Sequence, residues 1–313
     1  MTICVHEGHS VRFETTTLAG ILDAEGQAAN PLCNHRIRNL THRPTQTLLT
    51  PDRVADVSSR FGLSLFRVYA RNACLGELRA TPYAARPLEN GVEYAWQPFV
   101  GHAVALTCRI TIQSPNAIDL DLTLKSYAAY TGYEILLSSY WAPGFEPGGY
   151  VRSGNAPRQI RPHSNEVYAG QYLFFPQDTQ AAGLLTDGRG ARGRWCWEQC
   201  VGRRYALPMG FFSNGQVDAL LMGRPADVSA VGMSYAGDEQ TDPVAGHRGL
   251  YLSLFGRDLA AGEAWRTRVR LVVDAFAGDA AKHLREYERF IGEAASLASS
   301  IEMNPYFVDN PVA

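Results

Sequence analysis

Residues 192–204 read RGRWCWEQCVGRR, setting two tryptophans, two cysteines and a glutamate between arginines. Three chemistries could use such a set: a thiol or metal site, a surface on which a ring stacks, or proton transfer by Glu198. Extended-strand geometry separates them. Arg194, Cys196, Glu198 and Cys200 share one face of a strand, and Trp195, Trp197, Gln199 and Val201 share the other. Cysteines four residues apart then lie roughly 13 Å from each other. A disulfide tolerates a Cα separation of only about 7 Å. A Cys-x3-Cys spacing without a second pair also falls short of the ligand set that zinc takes, so no metal is expected. Ring stacking remains. Sugars present C–H patches that pack on flat indole faces, and arginine forks such as Arg203 suit hydroxyls or carboxylates. Trp195 and Trp197 are therefore candidate stacking residues, with burial in a core as the alternative. Glu198 is a candidate acid or base, with a solvated strand carboxylate as the alternative. The sequence leaves both choices open.

Proton transfer at a sugar's anomeric oxygen also suits an imidazole, whose pKa lies near 6.5. His102 precedes a long strand and His163 ends a Gly/Pro-rich segment, so both are candidates; each also fits a hydrogen-bonded loop histidine. Arg67, on the strand-like GLSLFRVYA, is preferred to Arg71 as a substrate grip, and Arg152 joins it. Trp141 is a third stacking candidate. No Gly-x-Ser-x-Gly elbow, phosphate-binding glycine loop or His-Glu-x-x-His sequence occurs, and DGRGARG reads as a turn. No cofactor is expected.

The elements that must position these residues are mostly strands. In AIDLDLTLKSY (117–127), Ile118, Leu120, Leu122 and Leu124 alternate with Asp119, Asp121, Thr123 and Lys125, the period of a half-buried antiparallel strand. In AWRTRVRLVVD (264–274), Trp265, Val269, Leu271 and Val273 face in while Arg266, Arg268 and Arg270 face out. Comparable patterns cover 10–16, 62–70, 92–97, 103–113, 133–141, 171–175, 182–186, 194–201, 217–222, 228–235 and 249–255. Asn90-Gly91, Asp187-Gly188 and Asn214-Gly215 mark turns between them. Many strands with close turns predict a sandwich or barrel. One helix is expected, over 279–298, with Asp279 as cap and Leu284, Tyr287, Phe290 and Ile291 on its apolar face. Residues 21–60 read as loop-rich, and 142–166 as a long covering loop.

The bulk numbers fit one large domain over 1–313. The chain has 313 residues, 46% hydrophobic and 19% charged, with a net charge of −2. That balance gives no case for nucleic acid or an anionic membrane as partner. Lys125 and Lys282 are the only lysines. The N-terminus lacks a basic-then-apolar leader, no run approaches a membrane span, and six scattered cysteines read as thiols, so a cytoplasmic location is expected.

Three stretches resemble the galactose mutarotase-like supersandwich shared by aldose epimerases and the carbohydrate-handling domains of polysaccharide-active enzymes. GHAVALTCRITIQSPNAIDLDLTLKSYAAYTGYEILLSSYWAP (101–143) is similar to its paired central strands and the strand entering its site. GLYLSLFGRDLAAGEAWRTRVRLVV (249–273) is similar to its closing hairpin, and GLSLFRVYARNACLGELR (62–79) to early strands that bring an arginine to the site. The family's mutarotases use a histidine after the central strands and a late glutamate. The matching segment here, Leu137-Ser138-Ser139-Tyr140-Trp141, has no histidine, and Glu239 stands in a loop-like AGDEQTDP.

The expectation is thus an all-β, antiparallel supersandwich of the galactose mutarotase-like type with one C-terminal helix packed on it. Its partner would be a small-molecule or oligomeric carbohydrate. An aldose-epimerase-type activity would proceed without a cofactor, with an acid and a base on opposite sides of the anomeric carbon. The alternative is a non-catalytic sugar-sensing or assembly module. The oligomeric state is not legible.

Overall fold

The computed structural model describes residues 2–25, 36–50, 62–73, 78, 81–162, 172–186, 203–234 and 248–297. The strands in chain order begin with β1 (Ile3–Glu7), β2 (Ser10–Glu14), β3 (Leu18–Asp23), β4 (Ile37–His42), β5 (Thr47–Leu48), β6 (Gly62–Tyr69) and β7 (Ala84–Leu88). Then follow β8 (Gly91–Trp96), β9 (Val104–Gln113), β10 (Ala117–Ser126), β11 (Tyr130–Tyr140), β12 (Glu146–Ser153), β13 (Ala156–Ile160) and β14 (Tyr172–Pro176). Helix α1 (Thr179–Thr186) precedes β15 (Tyr205–Ser213), β16 (Asp218–Gly223), β17 (Val228–Ser234), β18 (Gly249–Leu259) and β19 (Ala264–Asp274); α2 (Ala280–Leu297) comes last.

They form three antiparallel sheets. A nine-stranded sheet runs β13-β12-β15-β16-β19-β10-β9-β8-β7, a five-stranded sheet runs β14-β17-β18-β11-β6, and β1 to β5 form an N-terminal sheet in chain order. One apolar cluster joins them. It takes Leu120, Leu122 and Leu271 from the nine-stranded sheet, Leu137 and Leu252 from the five-stranded one, and Phe13 and Leu40 from the third. The expected antiparallel supersandwich is what the chain forms.

Period-two patterning explains the central strands. Ile118, Leu120, Leu122 and Leu124 are fully buried in the cluster. Their alternates turn to the far face of the nine-stranded sheet, where charges meet in register. Arg86, Glu93, Arg109, Asp121 and Arg268 stand directly opposite one another across five successive strands, alternating in sign. Such cross-strand opposite-charge pairs are favourable. One step along, Asp119 is fully buried and takes both Nε (2.6 Å) and an Nη (2.8 Å) of Arg270. Arg270 also donates to Glu293 on α2.

Helix α2 covers the β12–β15–β16–β19 part of that face, packing Tyr287 and Phe290 on Tyr150, Met209, Phe211, Leu220 and Val272. Asp279 caps it, accepting from Ala281 N (2.8 Å) and Lys282 N (3.3 Å), as the sequence implied. His283 is fully buried along with Phe290, whereas Leu284 is only half-buried. Nε2 of His283 lies 2.7 Å from Asp218 Oδ2, and Nδ1 lies 2.9 Å from Tyr150 Oη. Gly278 N donates to the same Asp218 oxygen at 2.6 Å. An imidazole between a carboxylate and a phenol is anchored on both sides.

Three expectations need correction. Residues 142–162 are not a covering loop but carry the hairpin β12–β13 at the edge of the nine-stranded sheet. Their glycines serve packing: a Cβ at Gly148 would lie 2.1 Å from the Phe211 ring. Residues 182–186 belong to α1, not a strand. Asp178 caps that helix through Ala181 N (2.8 Å), and Ala181, Leu184 and Leu185 repeat at helical spacing. Within the loop-rich span, residues 37–42 and 47–48 are strands of the N-terminal sheet. The strand expected at 194–201 lies outside the described residues.

Replacing Asp119 by Ala leaves the Arg270 guanidinium without its buried partner. Denaturant unfolding is expected to show a loss of about 3–5 kcal/mol. The double variant Asp119→Leu, Arg270→Met should recover most of it, because both charges then leave the interior together.

Candidate functional site

The five-stranded sheet has an unusual second face. On β11 Ile135, Leu137 and Ser139, and Trp141 just past its end, alternate toward the core, so Glu134, Leu136, Ser138 and Tyr140 point the other way. Register carries this sorting across the sheet. Leu136 stands between Arg67 of β6 and Ser253 of β18, Ser138 between Ser64 and Tyr251, and Tyr140 between Gly62 and Gly249. Beyond β18, Tyr251 faces Gly232 of β17, and Gly232 faces Phe174 of β14. Glycine at 232 is required by close approach, since a Cβ there would sit 2.4 Å from the Phe174 ring.

The result is a sheet face carrying a guanidinium, a carboxylate, hydroxyls and aromatic rings. Tyr251 Oη donates to Tyr140 Oη at 3.1 Å, with the rings edge-on at 6.0 Å. Phe174 stacks on Tyr251, also at 6.0 Å. Ser229 and Ser253 hydroxyls lie 2.7 Å apart, and Ser138 Oγ donates to Ser64 O at 3.4 Å. Glu134 is a diagonal neighbour of Arg67 on the adjacent strand, within reach of long side chains. Ser234 Oγ, at the end of β17, is buried without a hydrogen-bond partner. Arg67 is 6% exposed and Glu134 3%, so both charged groups are withdrawn from water. A sheet face that buries such groups away from the main core departs from the usual division between apolar-in and polar-out.

Helix α1 lies over one end of this face. Leu185 packs on its apolar members, which include Leu136, Phe174 and Tyr251. A Cβ at Gly256 would meet Leu184 Cδ1 at 3.3 Å as well as Ser229. One at Gly183 would approach Arg71 Nη2 at 4.0 Å. The helix therefore spans from β17 and β18 toward Arg71, two residues beyond β6.

Among the described residues, Arg67 is the sequence-derived candidate that this face contains. Trp141 is a core residue: it is 1% exposed, stacks on Phe212 at 6.0 Å and donates Nε1 to Ser139 Oγ at 3.0 Å. Arg152 lies on β12, where Nε donates to Tyr205 O, and Arg203 is exposed just before β15. His102 is 1% exposed on the core side of β11, with Nε2 2.9 Å from Tyr133 Oη and its ring parallel to that tyrosine. Burial lowers its pKa to about 4, so it is neutral at pH 7. No carboxylate partners it among the described residues. His163, Trp195, Trp197 and Glu198 lie outside the described residues. Sequence reading missed Glu134, Tyr140, Tyr251, Ser138 and Ser253. The signal was present in β11 and β18 as alternation, but a polar alternate position reads as solvent-facing unless something covers it. Among the described residues, no group of three or more His, Cys, Asp or Glu side chains could hold a metal ion. No described helix is long and apolar enough to cross a membrane.

By sequence, no protein-family profile and no curated protein matches the chain. Its three-dimensional form is similar to that of an Escherichia coli K12 protein carrying the provisional name aldose 1-epimerase. The TM-score is 0.52 at 10% identity, over 88% of this chain and 100% of that one. A GalM/aldose epimerase homologue from C. elegans aligns at TM-score 0.49 and 8% identity, over 88% and 99% of the two chains. Galactose 1-epimerase from Lactobacillus acidophilus NCFM aligns at 0.47 and 8%, over 88% and 98%. The chain has the galactose mutarotase-like fold.

The depressed His102 pKa makes stability depend on pH in a defined direction. Above pH 6.5 the imidazole is neutral folded and unfolded. As pH falls toward 4 the unfolded chain takes up a proton that the folded one refuses. Stability should fall by about 1.4 kcal/mol per pH unit in that window. Denaturation at pH 7.5 and pH 5.0 should show the native protein losing about 2 kcal/mol more than His102→Gln; equal losses would mean that the imidazole titrates normally.

Proposed function

We propose that this chain binds a small carbohydrate on the outer face of the five-stranded sheet. The observation that carries the reading is the joint burial of Arg67, Glu134, Ser138, Ser253, Tyr140 and Tyr251 on one face, outside the main core. A polyhydroxylated ring needs in-plane donors and acceptors together with flat apolar surfaces. Arg67 and Glu134 supply the first, and Phe174, Tyr140 and Tyr251 the second. The provisional name of the structurally similar Escherichia coli protein supports a sugar as the ligand class.

Of the two functional forms, a non-catalytic sugar-sensing or assembly module is favoured over an aldose-epimerase-type enzyme. The specific observation is that none of the described histidines stands on this face; His102 is on the opposite side of β11. Epimerisation at an anomeric carbon needs an acid and a base that can exchange a proton near neutral pH. A cytoplasmic site of action is retained with this reading, in keeping with free thiols at Cys4 and Cys108.

Calorimetric titration with D-galactose, D-glucose, D-mannose and their uronic acids tests the proposal. At least one should bind, and Arg67→Ala should weaken it by tenfold or more, as expected for a charge-assisted hydrogen bond. Trp195→Ala, Trp197→Ala, Glu198→Gln and His163→Gln, measured alongside, test the remaining stacking and proton-transfer assignments. Saturation-transfer NMR between the anomers of a bound sugar separates the two forms: exchange faster than in buffer establishes the enzyme. No binding by any of the six sugars removes the carbohydrate reading.

A further inference from the structure

We propose that α1 is the gate of this face, moving aside to admit one small polyhydroxy ligand and closing over it. The inference rests on the reading of the face as a ligand site, and its test uses no ligand. The polar side chains are sealed in: Ser138 and Ser253 are fully buried, and Arg67, Glu134, Ser64 and Ser229 are at most 6% exposed. A polysaccharide would have to leave such a site at an open end, whereas a single enclosed molecule would not. Entry then requires part of the cover to move.

Among the described residues, α1 is the element whose attachment suits that role. It has eight residues, too few for stability on its own; Leu185 packs on the face and Leu184 adjoins Gly256. Its N-terminus is fixed by an exposed cap, Asp178 Oδ1 accepting from Ala181 N. The residue before the cap is tied down: Gln177 N donates to Ser229 O at 2.8 Å and Gln177 Nε2 to Pro225 O at 2.9 Å. β14 thus ends on a fixed point, and the helix beyond it pivots or unwinds there. Leu184 adjoins Gly256 beside Ser229, whose hydroxyl pairs with that of Ser253, next in register to Leu136 and Arg67. Opening α1 exposes those groups without disturbing the main core, because Leu184 and Leu185 contribute nothing to that cluster.

The test places a thiol under the gate. Ser253→Cys is alkylated with iodoacetamide under native conditions, and the site is followed by peptide mass mapping. Ser64→Cys, on β6 with Arg67, serves as a second reporter. Removing the cap with Asp178→Ala should accelerate labelling of the thiol introduced on β18 about fivefold, the factor expected for loss of a helix cap. Leu185→Ala should accelerate it further. In both cases labelling should rise only weakly with urea, as for a local opening. Unchanged labelling in the variants, or a rate that climbs with urea as steeply as global unfolding, overturns the gate. Gated labelling without sugar binding leaves α1 as the gate and refutes the carbohydrate reading alone; sugar binding without gated labelling does the reverse.

Discussion

Register on β11 is the constraint on which the rest of the molecule depends. The strand is hydrogen-bonded on both sides, to β6 and to β18, and its two sets of side chains serve opposite purposes. Ile135 and Leu137, with Trp141 just past the strand's end, fill the sandwich, while Glu134, Ser138 and Tyr140 build the outer face. A slip of one residue would place a carboxylate in the core and a tryptophan among the serines. The irregularities at Tyr130/Tyr133, Tyr133/Glu134 and Leu136/Leu137 fix this register locally, because a bulge permits only one alignment of the flanking pairs. Core and candidate site are therefore two consequences of a single strand alignment.

The nine-stranded sheet handles its polar alternates differently. There every charge in the central rung has an opposite charge directly across from it, and the pair Asp119–Arg270 can be buried beneath α2 because its hydrogen bonds are bidentate. The outer face of the five-stranded sheet instead sets Arg67 and Glu134 among hydroxyls and rings. Saturated ion pairing suits a face meant to be covered permanently. A hydroxyl-rich face, with groups able to donate or accept by rotation, suits one that exchanges partners.

Much of the fold was legible in the sequence. Alternation alone located β2, β6, β8 to β11, β14 and β16 to β19 to within a few residues, and the cap at Asp279 located α2. The failures have physical causes. Ala181, Leu184 and Leu185 fall in a window too short to separate helical from strand periodicity, so α1 read as a strand. β15 escaped notice because it is buried on both faces along Pro208 to Ser213, which removes the alternation. Gly148 and Gly149 look like loop punctuation, yet they are small because Phe211 and Met233 press on them. The site was less legible. Trp141 and His102 drew notice by residue type, but type does not tell which face of β11 a side chain approaches. Arg67, Glu134 and Tyr251 lie on three different strands, and only their pairing brings them together.

The linkage of His283 to Asp218 and Tyr150 bears on where the chain can be divided. Helix α2 is joined to the sheet by a polar contact at its deepest point, and Asp218 Oδ1 already lacks a partner there. Detaching the helix would strip Asp218 of its imidazole donor and open Phe211, Met209 and Leu220 to solvent together. Any shortened form ending before Asp279 would thus begin with an orphaned acid in an apolar bed. The C-terminal helix is a keystone of the sheet it covers.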